Sequence, residues 1–323
     1  MKHKLMIALW GVALLTCGPL FNGAVAAPSG GAGYEFALAW GGKGSGPGQF
    51  NNVTALAVAG QELFVADARN SRIQVFDLAG KFKRQFDVEP GKKTKLSRPM
   101  GLAVYGGELY VTDYLNDRIA VFGLDGTLAR TLGGPGSGPG EFNSPGGIAV
   151  TPAGGLIVAD FNNQRVQELR ADGTFVRQWG ETGHKGITAG KFNYPTDVAL
   201  SPDGFLFVGD GFNDRIQAFS PNGEFSHKWG GLLAMNLSGS AAGWFKMVSG
   251  IAADKKGNVF VADFYNHRVQ KFSSDGTFLT LFGEKGTGPG RFNLPKAVAV
   301  ADGVAVFVAD FGNNRIQKWL AKK

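Results

Sequence analysis

Short apolar runs, each about five residues long and separated by turn residues, recur along the chain from residue 34 onward. In one stretch, GGIAV (residues 146–150) and LIVAD (residues 156–160) are continuous apolar runs with a Thr-Pro-Ala-Gly turn between them. RVQELR (residues 165–170) and TFVRQW (residues 174–179) then alternate between apolar and polar positions around an Ala-Asp-Gly turn. Period-two alternation and tight turns predict four antiparallel strands, and helical periodicity is absent after residue 26.

A six-residue pattern, D-x-x-N-x-R, follows the second apolar run of each such stretch and occurs six times. Successive aspartates are 46, 47, 50, 53 and 47 residues apart. The Asp and Arg pairs are Asp67 and Arg72, Asp113 and Arg118, Asp160 and Arg165, Asp210 and Arg215, Asp263 and Arg268, and Asp310 and Arg315. Four strands repeated six times at about 47 residues predict an all-β fold, a six-bladed β-propeller of four-stranded antiparallel blades.

The first strand of each blade is rich in Gly and Ala and is predicted to lie near the ring axis, where space is small. The fourth strands carry large residues that can fill the gaps between blades: Phe86, Trp179, Trp229 and Phe282. The last unit stops at its third strand, and the unassigned segment YEFALAWGG (residues 34–42) matches a fourth strand. We therefore expect the N-terminal strand to complete the last blade and close the ring, which gives a single domain over residues 34–323.

The N-terminus has the features of an export signal. Lys2 and Lys4 precede a short apolar run, and Ala24-Val25-Ala26 has small residues at the cleavage positions. We predict a signal peptide over residues 1–26, a linker over 27–33, and a periplasmic or secreted protein. The sequence around Cys17 faintly resembles a lipoprotein box, so lipid anchoring at Cys17 is the alternative. We expect no transmembrane segment in the mature chain.

The charge of the chain is mildly basic. There are 33 Lys and Arg against 26 Asp and Glu, and removal of Lys2 and Lys4 would leave 31 basic residues and a net charge of +5. Basic residues form no continuous track, so nucleic acid is not an expected partner. We expect a monomer.

The chain resembles the NHL-repeat family in two features. One is D-x-x-N-x-R after an apolar strand, and the other is G-x-G-x-G-P-G-x-F between blades, as in GGKGSGPGQF, GGPGSGPGEF and GEKGTGPGRF. The resemblance covers about residues 34–320 and implies the propeller fold. Members of the family include RNA-binding and protein-binding platforms and a metal-using amidating lyase, so the resemblance implies no single activity.

The repetition of the motif predicts a structural role, because an active site on a propeller is usually single. We expect Asp to end one strand, Asn to allow a left-handed turn, and Arg to begin the next strand. Each carboxylate and guanidinium would form a partly buried pair that can bond in two places.

Function should then lie where the six copies differ. The turns that carry the motif and the loops between blades are predicted to emerge on one face of the ring, called here the motif face. Irregular loops at residues 87–98, 181–191 and 231–246 lie there, and Trp244 in the third suits a contact surface. The alternative is a loop that packs on itself.

An aromatic collar is predicted on the same face from the residue that follows each motif aspartate. Tyr114, Phe161, Phe264 and Phe311 occupy four of these positions. They can hold a sugar ring, an apolar side chain or a lipid, or alternatively pack between blades.

The starts of the first strands define two axial columns. Met100 and Lys296 belong to the first column and Asp197 to the second, while Arg98 and Tyr194 flank the channel mouth. Lys296 and Asp197 are expected to face each other across the mouth, where they bind a ligand or form a local ion pair.

Enzyme motifs are missing from the sequence. His184, His227 and His267 do not align with the axial columns, and no HExxH or nucleophile elbow occurs. We therefore predict no catalytic residues, no metal and no cofactor. The leading hypothesis is an exported, non-enzymatic binding scaffold for a protein, peptide or cell-envelope glycan. The alternative is a metal-assisted hydrolase or lyase that uses Asp197 and Lys296 in the central channel, and RNA binding is third.

Overall fold

The computed structural model describes residues 33–86, 96–231, 234, 237–301 and 305–322. In these residues the chain forms six four-stranded antiparallel sheets and one two-stranded parallel sheet. The all-β, six-bladed propeller predicted from the repeat period is thereby confirmed. The predicted signal peptide, its cleavage site, Cys17 and most of the linker lie outside the described residues.

The strands of the six blades follow the chain in order. Blade 1 comprises β2 (Val53–Ala59), β3 (Glu62–Asp67), β4 (Arg72–Asp77) and β5 (Phe82–Phe86). Blade 2 comprises β6 (Pro99–Tyr105), β7 (Glu108–Asp113), β8 (Arg118–Gly123) and β9 (Leu128–Leu132). Blade 3 comprises β10 (Pro145–Val150), β11 (Leu156–Asp160), β12 (Arg165–Leu169) and β13 (Phe175–Gly180).

The remaining blades repeat this arrangement. Blade 4 comprises β14 (Pro195–Leu200), β15 (Leu206–Asp210), β16 (Arg215–Phe219) and β17 (Phe225–Trp229). Blade 5 comprises β18 (Val248–Ala253), β19 (Val259–Asp263), β20 (Arg268–Phe272) and β21 (Phe278–Phe282). Blade 6 comprises β24 (Pro295–Ala301), β25 (Ala305–Asp310), β26 (Arg315–Ala321) and, outermost, β1 (Tyr34–Gly41). The short strands β22 (Glu284–Lys285) and β23 (Arg291–Phe292) pair within the loop before blade 6.

The ring is closed by the N-terminal strand, as predicted. β1 pairs antiparallel with β26, from Tyr34 opposite Ala321 to Gly41 opposite Arg315. The backbone N–H of Asn52 in blade 1 also donates to Asn314 Oδ1 in blade 6, at 2.9 Å. The ring is therefore closed both by pairing of β1 with β26 and by a bond between blades 1 and 6 on the motif face.

The core lies between neighbouring blades. The large residues of the fourth strands fill these gaps: Trp179 packs on Phe219 at 6.0 Å between ring centroids, and Phe282 packs on Trp319 at 4.7 Å. Near the axis there is no such room. A Cβ on Gly250 would lie 2.5 Å from the carbonyl oxygen of Lys296, so this position in the first strand of blade 5 accepts only glycine without a shift of backbone.

The motif aspartate is a buried acceptor of several hydrogen bonds. Asp160 is fully buried. Its Oδ1 accepts from the backbone N–H of Asn143 at 2.8 Å, and its Oδ2 accepts from Asn163 Nδ2 at 2.9 Å and Arg165 Nε at 2.8 Å. Gln167 Nε2 donates to the same Oδ2 at 3.2 Å. We call this cluster of Asp, Asn, Arg and Gln the clasp.

The clasp connects the motif turn to the loop between blades. Arg165 Nη2 donates to the carbonyl oxygens of Gly138 at 2.8 Å and Glu141 at 2.9 Å. The Nε–Oδ2 contact of 2.7–2.8 Å recurs in five blades, whereas in blade 2 Arg118 Nη2 lies 3.6 Å from Asp113 Oδ2. In these five blades the inter-blade loop is thus held to the blade that follows it.

Two details of the predicted clasp are wrong. The Asp and Arg side chains meet through Nε alone in these five blades, because Nη2 is used on the loop carbonyls. The motif Asn is not the left-handed residue either: Gln164, one position later, has φ 59°, and Asn163 donates its side-chain amide to Asp160 and Gly136 instead. In the six motif turns the left-handed residues are Ser71, Asp117, Gln164, Asp214, His267 and Asn314.

Candidate functional site

A cavity of about 340 Å³ opens over the ring axis on the motif face, and we call it the funnel. All six blades contribute to it. Its lining residues are Asn52, Thr54, Ala68, Arg69, Arg98, Met100, Tyr114, Gly146, Phe161, Thr196, Met247, Phe264, Lys296 and Phe311.

The floor of the funnel is built by a β-bulge in the first strand of each blade. In blade 6, Pro295 pairs with Asp310 and Ala297 with Ala309, so Lys296 has no partner on the neighbouring strand. A bulged residue turns its side chain away from the ladder. The bulges therefore place Lys296, and equally Met100 in blade 2, at the floor of the cavity.

Asn52, Arg98 and Met247, each just before a first strand, line the wall of the funnel. In five blades the residue at this position is bonded to the preceding blade. Tyr194 has φ 54°, and its backbone N–H donates to Gln164 Oε1 of the preceding blade at 2.7 Å. Asp117, Asp214 and His267 accept in the same way from Ser144, Met247 and Leu294. In five motif turns the left-handed residue thus has a second role, which is to hold the residue before the first strand of the next blade.

The rim carries two arcs of aromatic rings. Tyr114, Phe161, Tyr194 and Phe212 form the first arc, with centroid distances of 6.3, 4.8 and 5.0 Å between successive rings. Tyr265, Phe264 and Phe311 form the second arc, at 5.0 and 6.1 Å. The predicted collar residues are therefore brought together, and their rings also contact one another between blades.

A narrow channel continues below the funnel, with a volume of about 60 Å³. Asp197 lies there; its Oδ2 accepts from the Ile251 N–H at 2.9 Å and its Oδ1 from the Val198 N–H at 2.9 Å. Lys296 Nζ donates to the Ser249 carbonyl at 3.4 Å, so the two charges line the same channel but bond to backbone groups. In the described part of the chain, no three His, Cys, Asp or Glu side chains lie close enough together to hold a metal ion.

Replacing Asp197 with Asn is expected to remove a pH dependence of stability. Burial raises the pKa of the Asp197 carboxyl to about 6, against the opposing effect of two backbone N–H groups and the Lys296 charge. Because the folded state binds this proton more tightly than the unfolded chain, the stabilising effect is complete below about pH 4 and is lost as the pH rises through 6. The free energy of unfolding of the variant, relative to wild type, should rise by about 3 kcal/mol between pH 4 and pH 7. Urea denaturation at both pH values measures this, and a difference that stays constant would contradict it.

The remaining predicted residues lie elsewhere. Trp244 does not line the funnel; it borders a separate cavity with Trp229 and Phe272 on the side of blade 5. Tyr194 stacks against Phe161 behind the lining, and Lys185 covers its ring at 4.1 Å. His184 and His227 are hydrogen-bonded to the carbonyls of Thr182 and Ser274, away from the funnel.

Three lining residues were not predicted from the sequence: Arg69, Asn52 and Met247. Asn52 and Met247 share the wall position with Arg98 and Tyr194, so alignment of the residue before each first strand would have found them. Arg69 is the second residue after the motif Asp67, where Phe212 and Tyr265 stand in blades 4 and 5. An arginine at this position does not fit the predicted aromatic collar, so the collar pattern did not indicate Arg69.

The chain is similar to known proteins in single repeats and in its whole fold. The NHL repeat family matches residues 142–169 and 245–272, which run from the loop before blades 3 and 5 to the third strand of each. Over 46 residues, about one repeat, the chain is 44% identical to the protein brain tumor of Drosophila melanogaster. This match covers 14% of this chain and 4% of that protein.

Solved structures share the fold at low identity. The virginiamycin B lyase of Staphylococcus aureus has a TM-score of 0.55 and 16% identity over 84% of this chain and 95% of that one. An auxiliary nutrient binding protein of Bacteroides ovatus has a TM-score of 0.67 and 13% identity over 90% of this chain and 78% of that one. One is a lyase and the other a binding protein, so at these identities the likeness concerns the fold alone.

Two matches to the NHL repeat and six blades that each carry the motif lead to one conclusion: the described residues form a six-bladed β-propeller that contains NHL repeats.

Proposed function

We propose that the protein is an exported, non-enzymatic binding module that holds a protein, peptide or cell-envelope glycan on its motif face. The observation that carries the proposal is the funnel, in which rings from four blades surround an opening large enough for a side chain or a sugar ring. Aromatic faces of this kind bind both apolar groups and the apolar faces of sugars. Export is supported by the N-terminal sequence alone. N-terminal sequencing of the protein recovered from cells tests it, and we expect Ala27 as the first residue.

Several exposed apolar residues lie in the motif turns and inter-blade loops. Five of the nine large hydrophobic residues that are exposed in the described part of the chain lie on the motif face: Leu115 (52%), Ile187 (56%), Phe212 (48%), Leu237 (47%) and Tyr265 (51%). Exposed apolar residues on the face that carries the funnel favour a contact surface for a partner. We therefore expect a ligand larger than the funnel, with one group inserted into it.

The alternative function is a metal-assisted hydrolase or lyase in the channel. It is favoured by Asp197, because a carboxyl with a pKa of about 6 suits general base catalysis near neutral pH. The channel volume of about 60 Å³ suits an ion or about two water molecules, so a substrate would have to react from the funnel. Elemental analysis of the purified protein discriminates: one bound divalent ion per chain, lost in the Asp197→Asn variant, favours this alternative.

Peptide and glycan arrays test the binding function. A ligand bound by the wild type should lose about 10-fold or more in affinity when Phe161 or Phe264 is replaced by Ala, because each ring supplies about 1–3 kcal/mol of contact. Val176→Ala and Phe225→Ala are matched controls, since both remove exposed apolar side chains from fourth strands at the outer edge. Equal losses in the controls, or no loss in the funnel variants, would place the binding surface elsewhere.

A further inference from the structure

The funnel has an asymmetric distribution of charge. The two aromatic arcs leave a break at blade 1, where Ala68 and Arg69 occupy the two positions after the motif aspartate. Arg98 stands next to this break, at the wall position of blade 2. Aromatic rings therefore surround most of the opening, and two guanidinium groups occupy the remaining sector.

The two arginines come from segments that are bonded together. Ser71 Oγ in the turn of Arg69 donates to the Ser97 carbonyl at 3.0 Å, and Thr54 Oγ1 donates to the Pro99 carbonyl at 2.7 Å. These bonds join blades 1 and 2 on either side of Arg98. The positions of the two arginine backbones are thus fixed relative to each other before any ligand binds.

Both guanidinium groups are free to bind a ligand. Within the described residues, neither Arg69 nor Arg98 has a side-chain hydrogen bond or an ion pair, whereas the clasp arginine Arg165 donates to Asp160 and to two loop carbonyls. None of the described residues that line the funnel is acidic, and Lys296 adds a third cation at the floor. A partly enclosed cavity strengthens the field of these charges.

We propose that the funnel selects ligands that carry an anionic group, a carboxylate or a phosphate, on an apolar or aromatic body. Each guanidinium can donate two parallel N–H groups to such an anion, while the apolar part packs on the aromatic arc of Tyr114 and Phe161. This inference rests on the proposed binding function and narrows it to one chemical class.

Three small probes test the inference by titration calorimetry at low and moderate salt. N-acetyl-phenylalanine and phenyl phosphate carry the two anions, and N-acetyl-phenylalaninamide is the uncharged match of the first. We expect at least one of the anions to bind about 10-fold or more tightly than the amide, because a charge-assisted hydrogen bond contributes about 1.5–3 kcal/mol. The advantage should shrink as salt rises. The stronger of the two anions then identifies the source as carboxylate or phosphate.

Variants locate the anion site. Arg98→Gln and Arg69→Gln should each weaken anion binding about 5-fold or more and leave amide binding unchanged. Arg170→Gln is the matched control, because Arg170 is exposed in a hairpin on the opposite face. Melting temperatures establish that each variant is folded; Arg69 is exposed, so its replacement serves if Arg98→Gln unfolds the protein.

Equal binding of anions and amide, unchanged anion binding in both funnel variants, or no binding of any probe would each overturn the inference. The proposed function is judged separately. If Phe161→Ala weakens the amide and the array ligand while the arginine variants have no effect, the funnel binds ligands but does not select anions.

Discussion

Replacing Asp160 with Ala is expected to lower the free energy of unfolding by about 3–5 kcal/mol, because it leaves the buried guanidinium of Arg165 without its carboxylate. Both side chains are almost inaccessible, at 0% and 1% exposure. Asp160 also accepts from the backbone N–H of Asn143, so the inter-blade loop before blade 3 loses one of its attachments at the same time. Chemical denaturation of the variant and the wild type measures the loss.

The clasp should behave as a unit in a double-mutant cycle. Burial raises the pKa of the Asp160 carboxyl in spite of four hydrogen bonds, so the carboxylate and the guanidinium each depend on the other to offset desolvation. Asp160→Ala combined with Arg165→Ala should therefore cost less than the sum of the single changes. Asp203→Ala, an exposed turn residue of blade 4, is the control and should change stability by less than about 0.5 kcal/mol. A denaturation midpoint of Asp160→Ala equal to that of wild type would show that the motif is not structural.

Removal of β1 is expected to be at least as damaging. The comparison is between a truncated protein that begins at residue 33 and retains β1 and one that begins at residue 42 and lacks it. The shorter protein lacks Tyr34, which packs on Phe282 at 4.9 Å, and Trp40, which packs on Phe76 at 5.9 Å. It thus opens the cores on both sides of blade 6. At about 1.5–3 kcal/mol for each buried aromatic, the loss is on the order of 5 kcal/mol. The exposed edge of β26 should also cause self-association, visible by light scattering.

Addition of the missing strand as a peptide should reverse this effect. A synthetic peptide of residues 33–42 can pair with β26 as β1 does and restore the melting temperature in a concentration-dependent way. A peptide with Tyr34, Phe36 and Trp40 replaced by Ser is the control, because it retains the backbone but not the packing. A truncated chain that is fully stable without peptide would mean that the ring does not depend on this closure.

The repeat period and the apolar alternation were sufficient to predict the fold, because each blade is a local unit whose strands follow the chain in order. The fourth-strand residues such as Trp179 and Phe282 were predicted to fill the gaps between blades for the same reason. Two members of the clasp, Asp and Arg, were predicted. Gln167 was missed, although Gln stands two residues after the motif Arg in five of the six copies. Its bond to the carbonyl oxygen of Glu141, 26 residues away, is not indicated by the repeat pattern.

The site was predicted less completely, because its parts come from all six blades. Phe161, Phe264, Lys296 and Arg98 were predicted because they stand at positions where the six copies of the repeat differ. The bulge that turns Lys296 inward, and the bond from Leu294 to His267 that fixes the neighbouring wall, depend on backbone geometry that residue type does not indicate. Trp244 was assigned to the contact surface from loop length, and it packs instead against Gly231 and Gly239 in its own loop.

Hydrogen–deuterium exchange with a ligand identified on the arrays tests most directly whether this propeller binds through its funnel. The account predicts slower exchange in the motif turns around Tyr114, Phe161 and Phe264, and no change in the hairpins of the opposite face near Asp172 and Asp203. Slower exchange confined to those hairpins or to the fourth strands, with the motif turns unchanged, would contradict it.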